Sequence, residues 1–216
     1  MSASSTLVTE QHFDYIASHT TAEDAFLKDL KKAAAEEGIP QIWIAPEQAS
    51  FMQIILKAAK AKNVVEVGTL AGYSAIAMAR ALPVGGRVRT IELMEKHADF
   101  ARRWTAKSDV ADRVEVICGP GADVLARMEA NSADAAFLDA DKGGYLVYLD
   151  HCLRIVRSGG LIMVDNAFAF GELFAETPQD KEVPAVRAFN EMMAREKRLQ
   201  SVIVPIGDGL WVGVKV

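Results

Sequence analysis

The stretch Asn63-Val64-Val65-Glu66-Val67-Gly68-Thr69-Leu70-Ala71-Gly72-Tyr73-Ser74 decides how the chain is read. Its opening NVVEV is a short apolar run with three β-branched valines, the pattern of a strand covered on both faces. Gly68 and Gly72 then permit a close turn, and AGYSAIAMARAL (71–82) continues as an amphipathic helix. Outward from this unit the same alternation repeats. RVRTIEL (87–93), RVEVIC (113–118), ADAAFLDA (133–140) and GGLIMVDN (159–166) read as strands. Between them KHADFARRWTAKS (96–108), DVLARME (123–129) and YLVYLDHCLRIV (145–156) read as helices. Strands alternating with helices at this spacing predict a parallel sheet with helices on both faces. A last helix, AVRAFNEMMAREKR (185–198), precedes QSVIVPI (200–206) and LWVGVKV (210–216). Gly207-Asp208-Gly209 makes those two an antiparallel hairpin. The expected fold is a doubly wound α/β, mostly parallel seven-stranded sheet ending in that hairpin.

Before residue 63 the chain adds N-terminal helices, over 10–62. Thr20-Thr21-Ala22-Glu23 forms a capping box for a helix running to Glu37, closed by Gly38 and Pro40. A second helix opens at Pro46 and carries Phe51, Ile54, Ile55 and Ala58 on one face. Residues 1–9 are small and polar and read as a mobile arm. The whole, 1–216, is expected to be one domain: 216 residues, half of them hydrophobic, suffice for one substantial core.

Charge narrows the partners. A net charge of -5 leaves no electrostatic footprint for a polyanion, although Arg102, Arg103 and Lys107 give one basic helix face. No stretch approaches the roughly 20 apolar residues of a membrane span. The start lacks the basic end and apolar run of a signal peptide, so a cytoplasmic location is expected. Cys118 and Cys152 sit in apolar runs and are expected to be buried thiols.

In a doubly wound sheet ligands bind beyond the carboxyl ends of the strands. Gly68-x-x-x-Gly72 brings backbone up to a ligand but is not the G-x-G-x-x-G of a pyrophosphate site. Glu92, ending the second strand, can accept hydrogen bonds from both ribose hydroxyls, or can be a solvated strand end. Gly119-Pro120-Gly121-Ala122-Asp123 leaves room for an adenine ring against backbone, or is a simple turn. The fourth strand ends in Asp139-Ala140-Asp141-Lys142 and the fifth in Asp165-Asn166. Adjacent strands would gather Asp139, Asp165 and Asn166 at one edge, where like charges repel unless a cation joins them. Three oxygen donors with no neighbouring His or Cys suit Mg²⁺, Mn²⁺ or Ca²⁺.

EVGTLAGYSAIAMARAL, TIEL, FLDADK, GGLIMVDN and IGDGLWVGVKV together resemble the cation-dependent O-methyltransferases, the catechol and caffeoyl-CoA type with its bacterial members. That resemblance runs from about Ile42 to the C-terminus and implies a Rossmann-like methyltransferase fold using S-adenosylmethionine. It implies that Glu66, Gly68, Thr69 and Ser74 line the methionine portion, with Ser74 bonding its carboxylate. Glu92 would hold the ribose, backbone at Gly121 and Ala122 would face the adenine, and Asp139 and Asp141 would approach the cofactor. Asp139, Asp165 and Asn166 would ligate the cation, and Lys142 matches the lysine proposed as general base. The implied acceptor is a phenolic small molecule, catechol-like or hydroxycinnamoyl-type. A tRNA hydroxyuridine is the alternative, since some bacterial relatives methylate one. Asp141 stands where the catechol enzymes carry a bulky aromatic, which places the chain nearer the caffeoyl-CoA and bacterial type. The resemblance also implies a homodimer, with Trp43, Phe168 and Phe170 as apolar interface candidates.

Overall fold

The computed structural model describes residues 6–216; Met1–Ser5, which hold most of the expected arm, lie outside the described residues. The strands are β1 (Asn63–Val67), β2 (Arg87–Glu92), β3 (Val114–Cys118), β4 (Ala133–Leu138), β5 (Val156–Val164), β6 (Leu199–Val204) and β7 (Leu210–Lys215). They form one sheet in the order β3-β2-β1-β4-β5-β7-β6. Pairs from β3 through β5 are parallel; β7 runs antiparallel between β5 and β6. The expected mostly parallel sheet and closing hairpin are both present, with the second hairpin strand seated beside β5.

Between the strands lie α4 (Tyr73–Ala81), α5 (Glu95–Thr105), α6 (Gly121–Ala126), α7 (Tyr145–Ile155) and α8 (Val183–Met193), after the N-terminal α1 (Glu10–His19), α2 (Ala25–Glu36) and α3 (Pro46–Ala58). Alternate residues of each strand feed two cores, as the period of two requires. Val64, Val88, Phe137 and Met163 pack with α2, α3 and α4. Val65, Val67, Ile91 and Leu138 pack with α6, α7 and α8. Among the described residues no helix is long and apolar enough to cross a membrane.

Several local expectations are corrected. The α2 cap is Asp24, whose carboxylate accepts from the Leu27 amide at 2.8 Å, while Glu23 pairs with Lys31 at 2.7 Å. The inward face of α3 is Gln48, Ala49, Met52 and Leu56; Ile54 is exposed. A polar Gln48 in that stripe masks the face from an apolar count. Helix α1 buries none of its residues, so it carries little apolar periodicity to read. Helix α6 starts at Gly121, so Gly121 and Ala122 form a first helical turn rather than a loop. Cys152 is buried, but Cys118, at the end of the edge strand β3, is only half-buried; both are free thiols.

Candidate active site

A cleft of about 840 Å³ opens along the carboxyl ends of β1, β2, β4 and β5. It forms because the turn after β1 lies flat on the end of β4. Gly68 has φ +103°, and a Cβ there would overlap the Asp139 carbonyl. Glycine is therefore required twice over, by conformation and by contact. Gly72, at φ +87°, closes the turn into α4.

Glu92 is buried at the head of the cleft. Its Oε2 accepts from the Leu70 amide at 2.8 Å and its Oε1 from the Met94 amide at 2.9 Å. Each carboxylate oxygen retains a further lone pair for a ligand hydroxyl. Gly121 also lines the cleft; a Cβ there would meet Val67 Cγ1 at 2.9 Å and Tyr148 Cε1 at 3.0 Å. Ala122 does not line it, and packs against the Val67 and Leu138 core instead. Gly68, Thr69 and Ser74 are at the cleft wall. Glu66 is not: it is fully buried behind Ser74, because it points into the sheet face covered by α4.

The floor holds the carboxylates. Asp139 and Asp165, at the ends of neighbouring β4 and β5, both line the cleft together with Asn166 and Lys142. Burial raises both carboxyls. Asp165 is pushed up to about 7, by burial first and by the charge of Asp139 second. Asp139 is raised by burial and partly restored by Lys142. The Lys142 ammonium is buried, donating to Asp139 Oδ1 at 3.3 Å and to the Tyr145 hydroxyl at 2.7 Å. Asp141 is exposed at the rim and accepts from the Tyr148 hydroxyl at 2.7 Å.

Two residues that line the cleft escape a reading of the sequence. Gln48 donates to Asp165 Oδ1 at 2.9 Å from α3, and Asp208, legible only as a hairpin turn, accepts from Asn166 Nδ2 at 3.1 Å. Asp208 also accepts from the Phe170 amide at 2.8 Å. Both signals are present in IAPEQASF and IGDG, but only tertiary packing brings either residue to the floor. Trp43 and Phe170, expected at an interface, line the cleft mouth.

Oxygen donors of this kind fit a hard divalent cation. The Asn166 amide nitrogen donates to Asp208, and its carbonyl oxygen is the side chain's acceptor. The buried Asp165 and the half-buried Asp139 share one side-chain cation, Lys142, so further positive charge there relieves an existing repulsion. Among the described residues no three His, Cys, Asp or Glu side chains gather to hold a metal ion. The set is two aspartates and an asparagine.

A cleft at the strand ends of a doubly wound sheet, with a glycine turn and an acidic second strand end, defines a nucleotide-type cofactor enzyme. Comparison with known proteins gives the family. A family described as O-methyltransferase matches residues 17–216. A catechol O-methyltransferase of Niastella koreensis is 36% identical over 204 residues, covering 93% of this chain and 90% of that protein. A catechol O-methyltransferase of Mycobacterium tuberculosis is 34% identical over 200 residues, covering 92% and 90%. The O-methyltransferase from Bacillus cereus, solved in complex with SAH, superposes with TM-score 0.84 at 33% identity, covering 94% of this chain and 96% of that one. The chain belongs to the O-methyltransferase family and is an enzyme of that class.

Proposed function

We propose that the enzyme transfers a methyl group from S-adenosylmethionine to a hydroxyl of a catechol-like or hydroxycinnamoyl-type phenol, with a divalent cation, Mg²⁺ foremost, at Asp139, Asp165 and Asn166. One observation carries this reading: the cluster of Asp139, Lys142 and Asp165 shares a cleft with the Gly68 turn and Glu92. The cofactor supplies an electrophilic methyl on a cationic sulfur. A cation at the floor supplies positive charge that favours ionisation of a nearby phenol, whose pKa is otherwise about 10.

The chain's own groups do the rest. Glu92 takes the ribose hydroxyls on its free lone pairs, and the Gly121 turn leaves a flat surface for the adenine. Ser74, in the first turn of α4, faces the methionine carboxylate, where helix N-terminal amides also favour an anion. Lys142 Nζ, held beside the floor by Tyr145, takes the hydroxyl proton when it is in its uncharged amine form. Trp43 and Phe170 exclude water at the mouth and give an aromatic acceptor an apolar wall. Two adjacent hydroxyls on the acceptor match a floor of several oxygen donors, and both relatives described above bear the name catechol O-methyltransferase.

The tRNA alternative finds less support. Arg102 is paired with Glu95 and Asp99, and Arg103 with Glu37, so the basic face is largely neutralised. The dimer is proposed on the resemblance alone, and sedimentation equilibrium tests it. The deciding assay runs labelled cofactor against catechols, hydroxycinnamoyl-CoA esters and bulk tRNA, with and without EDTA. The reading expects label in a phenol and loss of it on chelation. Chelation-insensitive transfer, or label confined to tRNA, refutes it.

A further inference from the structure

Glu66 is a fully buried carboxyl behind the cleft that the proposed mechanism leaves without work. It sits on β1, fully buried, beside its register partner Thr90 on β2 and Phe137 on β4. Its Oε1 is in hydrogen-bond contact with Ser74 Oγ, and its Oε2 has no hydrogen-bond partner among the described residues. Thr90, the nearest other hydroxyl across the strands, is engaged with Thr69 Oγ1. The charged groups that bear on Glu66 are Asp139 beyond β4 and Glu92 at the end of β2, both acidic. The Lys142 ammonium, 3.3 Å from Asp139, offsets part of that charge, but among the described residues no cation is paired with Glu66 itself.

The hydrogens can be counted in two ways. If Glu66 is ionised, Ser74 must donate its only hydrogen backwards to the carboxylate. The serine then presents lone pairs to the cleft and repels an anion. If Glu66 is neutral, its own O–H donates to Ser74 Oγ, and the serine hydrogen is released to point into the cleft. Total burial and two acidic neighbours favour the neutral form, while the Ser74 and Thr90 hydroxyls favour the charged one and are outweighed by burial. Burial, the largest of these, pushes the carboxyl up to about 8.

We propose that Glu66 is a positioning residue whose carboxyl stays protonated, donating to Ser74 so that Ser74 donates in turn to the carboxylate of the bound cofactor. This rests on the S-adenosylmethionine reading of the cleft. Glu66 does not line the cleft and acts through Ser74. It sets the direction of one hydrogen bond, and its ionisation reverses that direction.

The test is SAH binding by calorimetry in EDTA, near pH 7 and near pH 9, for wild type, Glu66→Gln and Ser74→Ala. Ratios of dissociation constants between proteins at one pH cancel the ionisation of SAH itself. The Glu66→Gln amide donates to Ser74 at every pH, so this variant binds like wild type near pH 7. Near pH 9 wild type falls about tenfold behind it, the worth of a hydrogen bond to a charged group. Ser74→Ala binds about tenfold more weakly than wild type near pH 7, and that difference collapses towards one near pH 9. The second ratio needs no change at Glu66, so a poorly folding Glu66→Gln does not spare the proposal. Ratios that stay level between the two pH values, with SAH bound, refute the proposal and leave the cofactor reading standing. Wild type that binds no SAH at any pH refutes both.

Discussion

Replacing Asp165 by asparagine should stabilise the cation-free protein while destroying its response to cation. Asp165 is almost wholly buried beside Asp139, and its carboxyl is raised from 3.8 to about 7. A tenfold change in a proton's affinity is worth about 1.4 kcal/mol, so ionising Asp165 in the cation-free fold costs up to about 4 kcal/mol. A raised carboxyl contributes its full stability below the unfolded value near 4 and loses it as pH rises through about 7. In EDTA, wild type should therefore melt lower at pH 8 than at pH 5. Asp165→Asn keeps an oxygen to accept from Gln48 but carries no charge. At pH 8 it should exceed wild type by about 2–4 kcal/mol, or roughly 4–16 °C for a chain of this length. At pH 5, where wild-type Asp165 is neutral as well, the advantage should shrink. Glu66, also raised, is common to both proteins and drops out of the difference. Added Mg²⁺ should raise the melting temperature of wild type alone. Melting curves in EDTA that change with pH by the same amount in both proteins would refute the electrostatic account of the floor.

Gly68→Ala should cost about 1–3 kcal/mol in strain and weaken SAH binding more than tenfold, because the added Cβ overlaps the Asp139 carbonyl; melting and calorimetry read both. Gln48→Leu removes the donor to Asp165 Oδ1 and should weaken cation binding about 10–100-fold, measured by metal titration of activity. Lys142→Met should lower kcat by about 10²–10⁴ while SAH affinity changes little, and an unchanged kcat would remove Lys142 from proton transfer.

The fold is legible from NVVEVG onward because buried parallel strands and amphipathic helices leave strong local patterns. Strand ends are equally legible, and with them Gly68, Glu92, Asp139, Asp165 and Asn166, since a doubly wound sheet places such ends at one edge. Where pattern and chemistry diverge, reading fails. The α3 face is misjudged from sequence because its key inward residue, Gln48, is polar and works for a site over a hundred positions away. The first turn of α6 reads as a loop because the helix start at Gly121 cannot be seen in a glycine-rich run.

By itself the sequence determined the order of strands and helices and which oxygen-bearing residues end the strands, because those follow from short-range periodicity. Only the tertiary structure decided how those residues are held. Gln48 reaches Asp165, Asp208 turns the Asn166 amide, and Glu66 lies behind Ser74 rather than beside it. Each depends on which buried polar atoms find partners across the fold, a long-range condition that no local pattern records.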